Sequence, residues 1–295
     1  IHQNSDVDRT ADRNVRCVER VGQINLNSVG LRNGPWTVDM VNIITSEIVV
    51  STTVYINNIN KVDLSKFELH LPLSRKAGGK MSIINSLELR NGFSLPPYFY
   101  FDSITSAYVF HTPVWFDGAV TSSGSDYIRT ELRQEANWNA LLSQQTLTAL
   151  QSVNSVSQNG VFVGQILADF NGKHSPVLYI GLKPNSANPS LYDLKAFVNE
   201  YNENSLKINT STFILKSSYV LGTTFEIKIR VGQGAVSIYY NGDLKTVDYN
   251  TKFSSGIFGN VYYKTGSYGQ TKRTDDLNIN NQVSEVSIYK LEISN

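Results

Sequence analysis

In the stretch TFEIKIRV, residues 224–231, apolar and charged side chains alternate without a break: Phe225, Ile227, Ile229 and Val231 share one side, and Glu226, Lys228 and Arg230 the other. A period of two fits a strand with one face in a core and one in water. The next run, AVSIYYNGDLKTVDY, places Asn241-Gly242 between two β-rich segments. That pair is the strongest short hairpin signal, because a two-residue turn needs positive φ at both positions. Further strands are expected at 47–56, 67–73, 106–116, 127–134, 160–170 and 176–183 and in the closing SEVSIYKLEIS, mostly separated by Gly, Asn, Ser or Pro. Residues 139–153 fit either a helical leucine stripe or a strand edge, and a strand is expected from 145. The pattern predicts an all-β chain, a two-sheet antiparallel sandwich or jelly roll.

Residues 1–61 contain RTADRNVRCVER, the most charged and helix-compatible segment. They are read as an N-terminal extension packed on a main domain at 62–295. With 26 basic and 25 acidic residues the chain has a net charge of +1, so no global field draws in nucleic acid or an anionic membrane. No run of eighteen apolar residues is present, and the first ten lack the apolar core of a signal peptide, as expected for a secreted, extracellular protein whose leader has been removed. Asn209-Thr210-Ser211 is a weak glycosylation signal in that direction. Cys17 is the single cysteine and excludes an intrachain disulfide. Four scattered histidines make no metal site, and no cofactor is expected. His70 and His111 fall in strands without a matching polar cluster and are read, with the terminal His2, as structural or solvated.

Parity sorts the most polar strands into faces. In VYYKTGSYGQ, Tyr262, Lys264, Tyr268 and Gln270 share a face around Gly266; in YIRTELRQ, Arg129, Glu131 and Arg133 oppose Ile128, Thr130 and Leu132. In GVFVGQILADF, Gln165, Leu167 and Asp169 oppose Phe162, Ile166 and Phe170. Taken singly, each is an ordinary solvated face. As neighbours they form a cation-bearing groove suited to an acidic polymer.

The segments Arg129-Thr130-Glu131-Leu132-Arg133, Gly164-Gln165-Ile166 and Tyr262 to Gln270 resemble, in order and spacing, the three signature motifs of the polysaccharide lyase family 7 alginate lyases. The resemblance spans roughly residues 62–295. It implies a β-jelly roll whose concave face binds an acidic polysaccharide and cleaves it by β-elimination without a cofactor. On that reading Arg129 and Gln165 neutralise the uronate carboxylate, and Tyr268 acts as base and acid. Glu131, Arg133, Tyr262, Lys264 and Gln270 contribute to substrate binding.

The chain departs from the family at Leu167, where the motif carries histidine. In mannuronate and glucuronate the C5 proton and C4 oxygen lie on one side, so a single tyrosine serves both steps. Guluronate needs a second group across the ring. The departure therefore implies a preference for mannuronate-rich alginate or a uronan of like stereochemistry. If Asn171-Gly172 turns a hairpin, Asp169 pairs with His174, which brings that histidine to the face of Gln165. Two alternatives stay open: a carbohydrate-binding or matrix protein that has lost the chemistry, and, more weakly, hydrolysis by paired carboxylates, against which Glu131 reads as an ion-paired strand residue.

Overall fold

The computed structural model describes residues 2–3, 34–41, 48–56, 61–74, 81–114, 127–170, 173–201, 207–232, 235–247, 260–272 and 282–295. The chain divides into two compact units, Ile1–Asn60 and Lys61–Asn295. In the first, β1 (His2–Gln3), β2 (Gly34–Val41) and β3 (Ile48–Ile56) form an antiparallel sheet in that order. The segment RTADRNVRCVER, with Cys17, lies outside the described residues.

The second unit begins with β4 (Lys61–Val62), β5 (Phe67–Ser74), β6 (Met81–Ile84), a short helix α1 (Ser86–Arg90), β7 (Phe99–Asp102) and β8 (Ala107–Pro113). It continues through β9 (Arg129–Gln134), β10 (Trp138–Asn139), β11 (Gln144–Ser155), β12 (Val161–Phe170), β13 (Lys173–Pro184) and β14 (Tyr192–Tyr201). The last strands are β15 (Lys207–Tyr219), β16 (Thr224–Gly232), β17 (Ala235–Tyr240), β18 (Asp243–Val247), β19 (Asn260–Gly269) and β20 (Val283–Ser294). One sheet runs β15-β14-β13-β12-β19-β9-β5-β6, with β10 beside β19. The other runs β18-β17-β16-β11-β20-β8-β7, with β4 joining β20 in parallel. This is a β-jelly roll, as the alternation predicts.

Between the sheets lies one apolar core, to which both contribute: Phe67, Leu69 and Leu132 from the first, Phe110, Leu147, Phe225 and Ile229 from the second. Two expectations meet particular outcomes. Residues 144–155 are strand, with Leu147 and Ala149 in the core and Leu142 left exposed before it. Asn241 and Gly242 both take positive φ, 49° and 86°, and Tyr240 pairs with Asp243, the register of a two-residue hairpin.

One strand breaks its alternation. The ladders of β12 to both β13 and β19 shift between Phe162 and Gly164. Val163 stays in the core, and Gly164 also faces inward: a Cβ there would lie 2.9 Å from Ile227 Cδ1 of the opposite sheet. Phe162 consequently emerges on the outer face with Gln165, contrary to the parity expectation, because parity holds only while the register is constant.

Candidate active site

Strands β12, β19 and β9 are direct neighbours, so the three motif segments lie side by side, and antiparallel register aligns their outer faces. Gln165 pairs with Lys264, Lys264 with Arg133, and Tyr268 with Arg129. At the centre is Glu131, 1% exposed. Its carboxylate accepts from the Gln165 amide, lies 2.9 Å from Lys264 Nζ and 3.4 Å from an Arg129 guanidinium nitrogen. A buried carboxylate is tolerated only when charged donors surround it, and here one carboxylate fixes three side chains from three strands. The same burial acts on Lys264: desolvation, aided by Arg129 and opposed by Glu131, brings its pKa down to about 8.

The Arg129 guanidinium carbon sits 3.9 Å from the centroid of the half-buried Tyr268 ring. A cation held there favours a negative phenol oxygen. The edge of Tyr127 meets the same ring at 6.0 Å, and Phe162 lies 6.2 Å away on the other side. Beyond Phe162 the face opens into a cavity of about 500 Å³ lined by Pro176, Tyr179, Lys183, Phe197 and Tyr201, with Phe162 and Tyr179 stacked at 4.4 Å. At the opposite end Arg133 lies 4.1 Å over the Tyr262 ring, whose pKa burial raises to about 12. The surface thus offers fixed cations at its middle and aromatic planes at both ends.

The family profile described as alginate lyase matches residues 62–295. The chain belongs to the alginate lyase family. Alginate lyase AlgAT5 of polysaccharide lyase family 7 superposes on this family member with a TM-score of 0.60 and 26% identity, over 79% of this chain and 95% of that one. The alginate lyase from Corynebacterium sp. gives 0.59 and 25%, over 79% and 96%. The alginate lyase from Klebsiella pneumoniae, at 20% identity and a TM-score of 0.65 over 80% and 97%, shares the fold. Among curated protein sequences the chain has no match.

In this alginate lyase family member, Arg129, Glu131, Gln165, Lys264 and Tyr268 form one connected cluster, and Arg133 and Tyr262 adjoin it through Lys264 and the β9 strand. Glu131 is buried together with its donors Gln165 and Lys264, which are 2% and 3% exposed, and with all its contacts made to them and to Arg129 it organises the site. Gln270 stands just past the end of β19, and its amide turns back to the carbonyls of Tyr268 and Gly269. Asp169 pairs with His174, as the hairpin reading requires, and the exposed His174 ring meets Tyr262 edge-on at 5.7 Å. The turn residues 171–172 lie outside the described residues.

His70 is structural rather than solvated, but the expected lack of a polar cluster around it is corrected. It pairs directly with Glu131, is 4% exposed, and its Nε2 lies 2.9 Å from Glu68 Oε1. The polar cluster that the sequence reading found missing comes from Glu68 on the same strand and from β9 and β19, strands far away in the chain. His111 also has a partner, Glu285 at 3.0 Å, on the other sheet. Phe162, Tyr127 and Glu68 were not selected from sequence: a bulge hid the first, while strand parity places Tyr127 with Arg129 and Glu68 with His70, a signal that went unused. No described helix is long and apolar enough to cross a membrane.

Proposed function

We propose that this protein is a polysaccharide lyase that cleaves alginate, preferring mannuronate-rich regions, by β-elimination. The observation that carries the reading is the chain of contacts from Tyr268 through Arg129 and Glu131 to Gln165. A uronate C5 proton is only weakly acidic while the adjoining carboxylate is ionised, so the site must neutralise that group and hold charge as the proton leaves. Arg129 is the cation for this task. An amide nitrogen carries two protons; Gln165 commits one to Glu131, which leaves the second for the sugar carboxylate. Tyr268, held as a phenolate by the neighbouring Arg129, removes the C5 proton and, as the neutral phenol so formed, gives it to the departing C4 oxygen, which restores the phenolate.

Glu131 makes the arrangement durable. Counting Arg129, Arg133 and Lys264 against Glu131 and Glu68 gives a net charge of +1 at neutral pH (three minus two), enough to attract a polyanion locally in a chain of nearly balanced charge. Leu167 pairs with Tyr262 and supplies no proton-transfer group, which supports the same-side mannuronate chemistry. His174 beside Tyr262 binds substrate at the groove margin. Secretion follows from the polymeric substrate.

The test is to incubate the protein with alginate, separated mannuronate and guluronate blocks, and glucuronan, following ultraviolet absorbance of the new double bond, with Tyr268→Phe in parallel. Absorbance on mannuronate-rich alginate, reduced at least 100-fold by Tyr268→Phe, is the expected result. Binding without absorbance favours the carbohydrate-binding alternative, which Leu167 would explain. A glucuronan preference redirects the substrate while keeping the mechanism.

A further inference from the structure

Below the edge of the groove formed by β5 lies a second charged cluster that the proposed chemistry does not use. Glu68 and His70 alternate with the core residues Phe67, Leu69 and Leu71, so both point to the groove side, in register with Arg133 and Glu131. Glu68 Oε1 receives His70 Nε2 at 2.9 Å and an Arg133 guanidinium nitrogen at 3.5 Å. Arg133 also donates to the Gln134 carbonyl at 3.0 Å and to Asn137 Oδ1 at 3.1 Å, while its plane covers Tyr262. His70 Nδ1 is buried and has no hydrogen-bond partner among the described residues. A contact with a carboxylate requires the proton on Nε2, so Nδ1 carries only a lone pair; a second proton there would be a buried, unpaired donor. The charged groups around His70 are Glu68 on its own strand, Glu131 and Arg133 on β9 and Lys264 on β19, while Ile83 opposes it on β6. Burial and Lys264 lower its pKa, in keeping with a neutral ring.

We propose that His70 is a positioning residue: as a neutral imidazole it donates from Nε2 to Glu68, which holds the Arg133 guanidinium flat over Tyr262 at one end of the groove. This rests on the reading that the groove binds a uronate polymer. Arg133 and Tyr262 sit away from the Tyr268 phenol, so loosening them weakens binding of ground state and transition state alike. The change then appears in KM, with kcat preserved.

The replacements separate this role from simple packing. In glutamine the amide nitrogen lies about where Nε2 lies in histidine, whereas in asparagine it lies near Nδ1 and falls short of Glu68. His70→Gln should keep KM within about twofold of the parent. His70→Asn and His70→Leu should raise it about tenfold, the loss of one hydrogen bond to a charged group, with kcat changed less than twofold. Binding of alginate oligomers, measured calorimetrically, should weaken in the same order. In a Glu68→Gln background, His70→Leu should add little, since the carboxylate it holds is gone. Equal behaviour of the Gln and Asn proteins at matched melting temperatures overturns the proposal, as does a loss confined to kcat. If the parent protein binds and cleaves alginate while His70→Leu matches it, the positioning role alone falls. If the parent neither binds nor cleaves any uronan, the functional reading falls and takes this role with it.

Discussion

Replacing Glu131 with glutamine removes the one anion shared by Arg129, Gln165 and Lys264, and the structure sets the size of the effect. Breaking a buried charge pair by deleting one partner costs about 3–5 kcal/mol, because the remaining charge is stranded. Lys264 is 3% exposed and already titrates near pH 8 with Glu131 beside it. Without that attraction its pKa moves below neutrality and it sheds its proton, which holds the cost near the lower limit, about 3 kcal/mol. For a unit of 235 residues (61 to 295), that is a fall in melting temperature of about 6–12 °C. The pH dependence is more telling. A lysine neutral in the folded state and protonated in the unfolded state makes stability rise with pH by about 1.4 kcal/mol per unit. In the parent this slope begins only above pH 8, the folded value, and ends near the unfolded value of 10.5. In Glu131→Gln it should extend below pH 8, and Lys264→Met in that background should abolish it and recover part of the lost stability. Chemical denaturation from pH 6 to 9 measures both. A loss under about 1 kcal/mol, or a stability curve parallel to the parent between pH 6 and 8, refutes the view that Glu131 holds the site together.

Three further outcomes are expected. Activity should decline above about pH 8 as Lys264 loses its proton and the net charge of the cluster falls from +1 to zero; Lys264→Arg, which stays protonated, should carry the decline to higher pH in a kcat/KM profile. Gly266→Ala should lower stability by about 1–3 kcal/mol in thermal denaturation, since Gly266 has φ of 132° and a Cβ would meet the Thr130 carbonyl oxygen at 2.8 Å and Glu131 Cα at 3.0 Å; activity should fall further than stability because Glu131 is displaced. Leu167→His should raise the rate on guluronate blocks at least about tenfold relative to mannuronate blocks, measured by the same absorbance assay, because it supplies a group on the second side of the ring.

Much of the groove was legible because strand parity is local. TELR and YYKTGSYG each assign their own faces, and residues 224–247 announce both a strand and its hairpin. What failed was information held by other strands. Phe162 was sent to the wrong face by a shift that no pattern in GVFVGQ marks. Strand β14 escaped notice because Asp193, Asn199 and Glu200 are buried polar residues that blur the alternation; they are tolerated because Asn185, Ser218, Thr210, Asn209 and Ser211 supply their hydrogen bonds. Strand β15, at the end of its sheet, buries Leu215 and Tyr219 but leaves most of its described side chains outside the core. His70 looked isolated because only Glu68 of its cluster lies on its own strand; the rest assembles when β5 meets β9, across some sixty residues of chain.

The inward turn of Gly164 ties two layers of the molecule together. Its lack of a side chain leaves room for Ile227 of the far sheet, which a Cβ there would meet at 2.9 Å, and the next residue is Gln165. Enlarging the side chain at 227 is expected to press on Gly164 and shift the neighbouring Gln165 amide, the group proposed to bind the sugar carboxylate. Any effort to retune polymer choice by random mutagenesis should therefore find productive changes on the rear wall of the sandwich, where a survey restricted to groove-lining positions would never look.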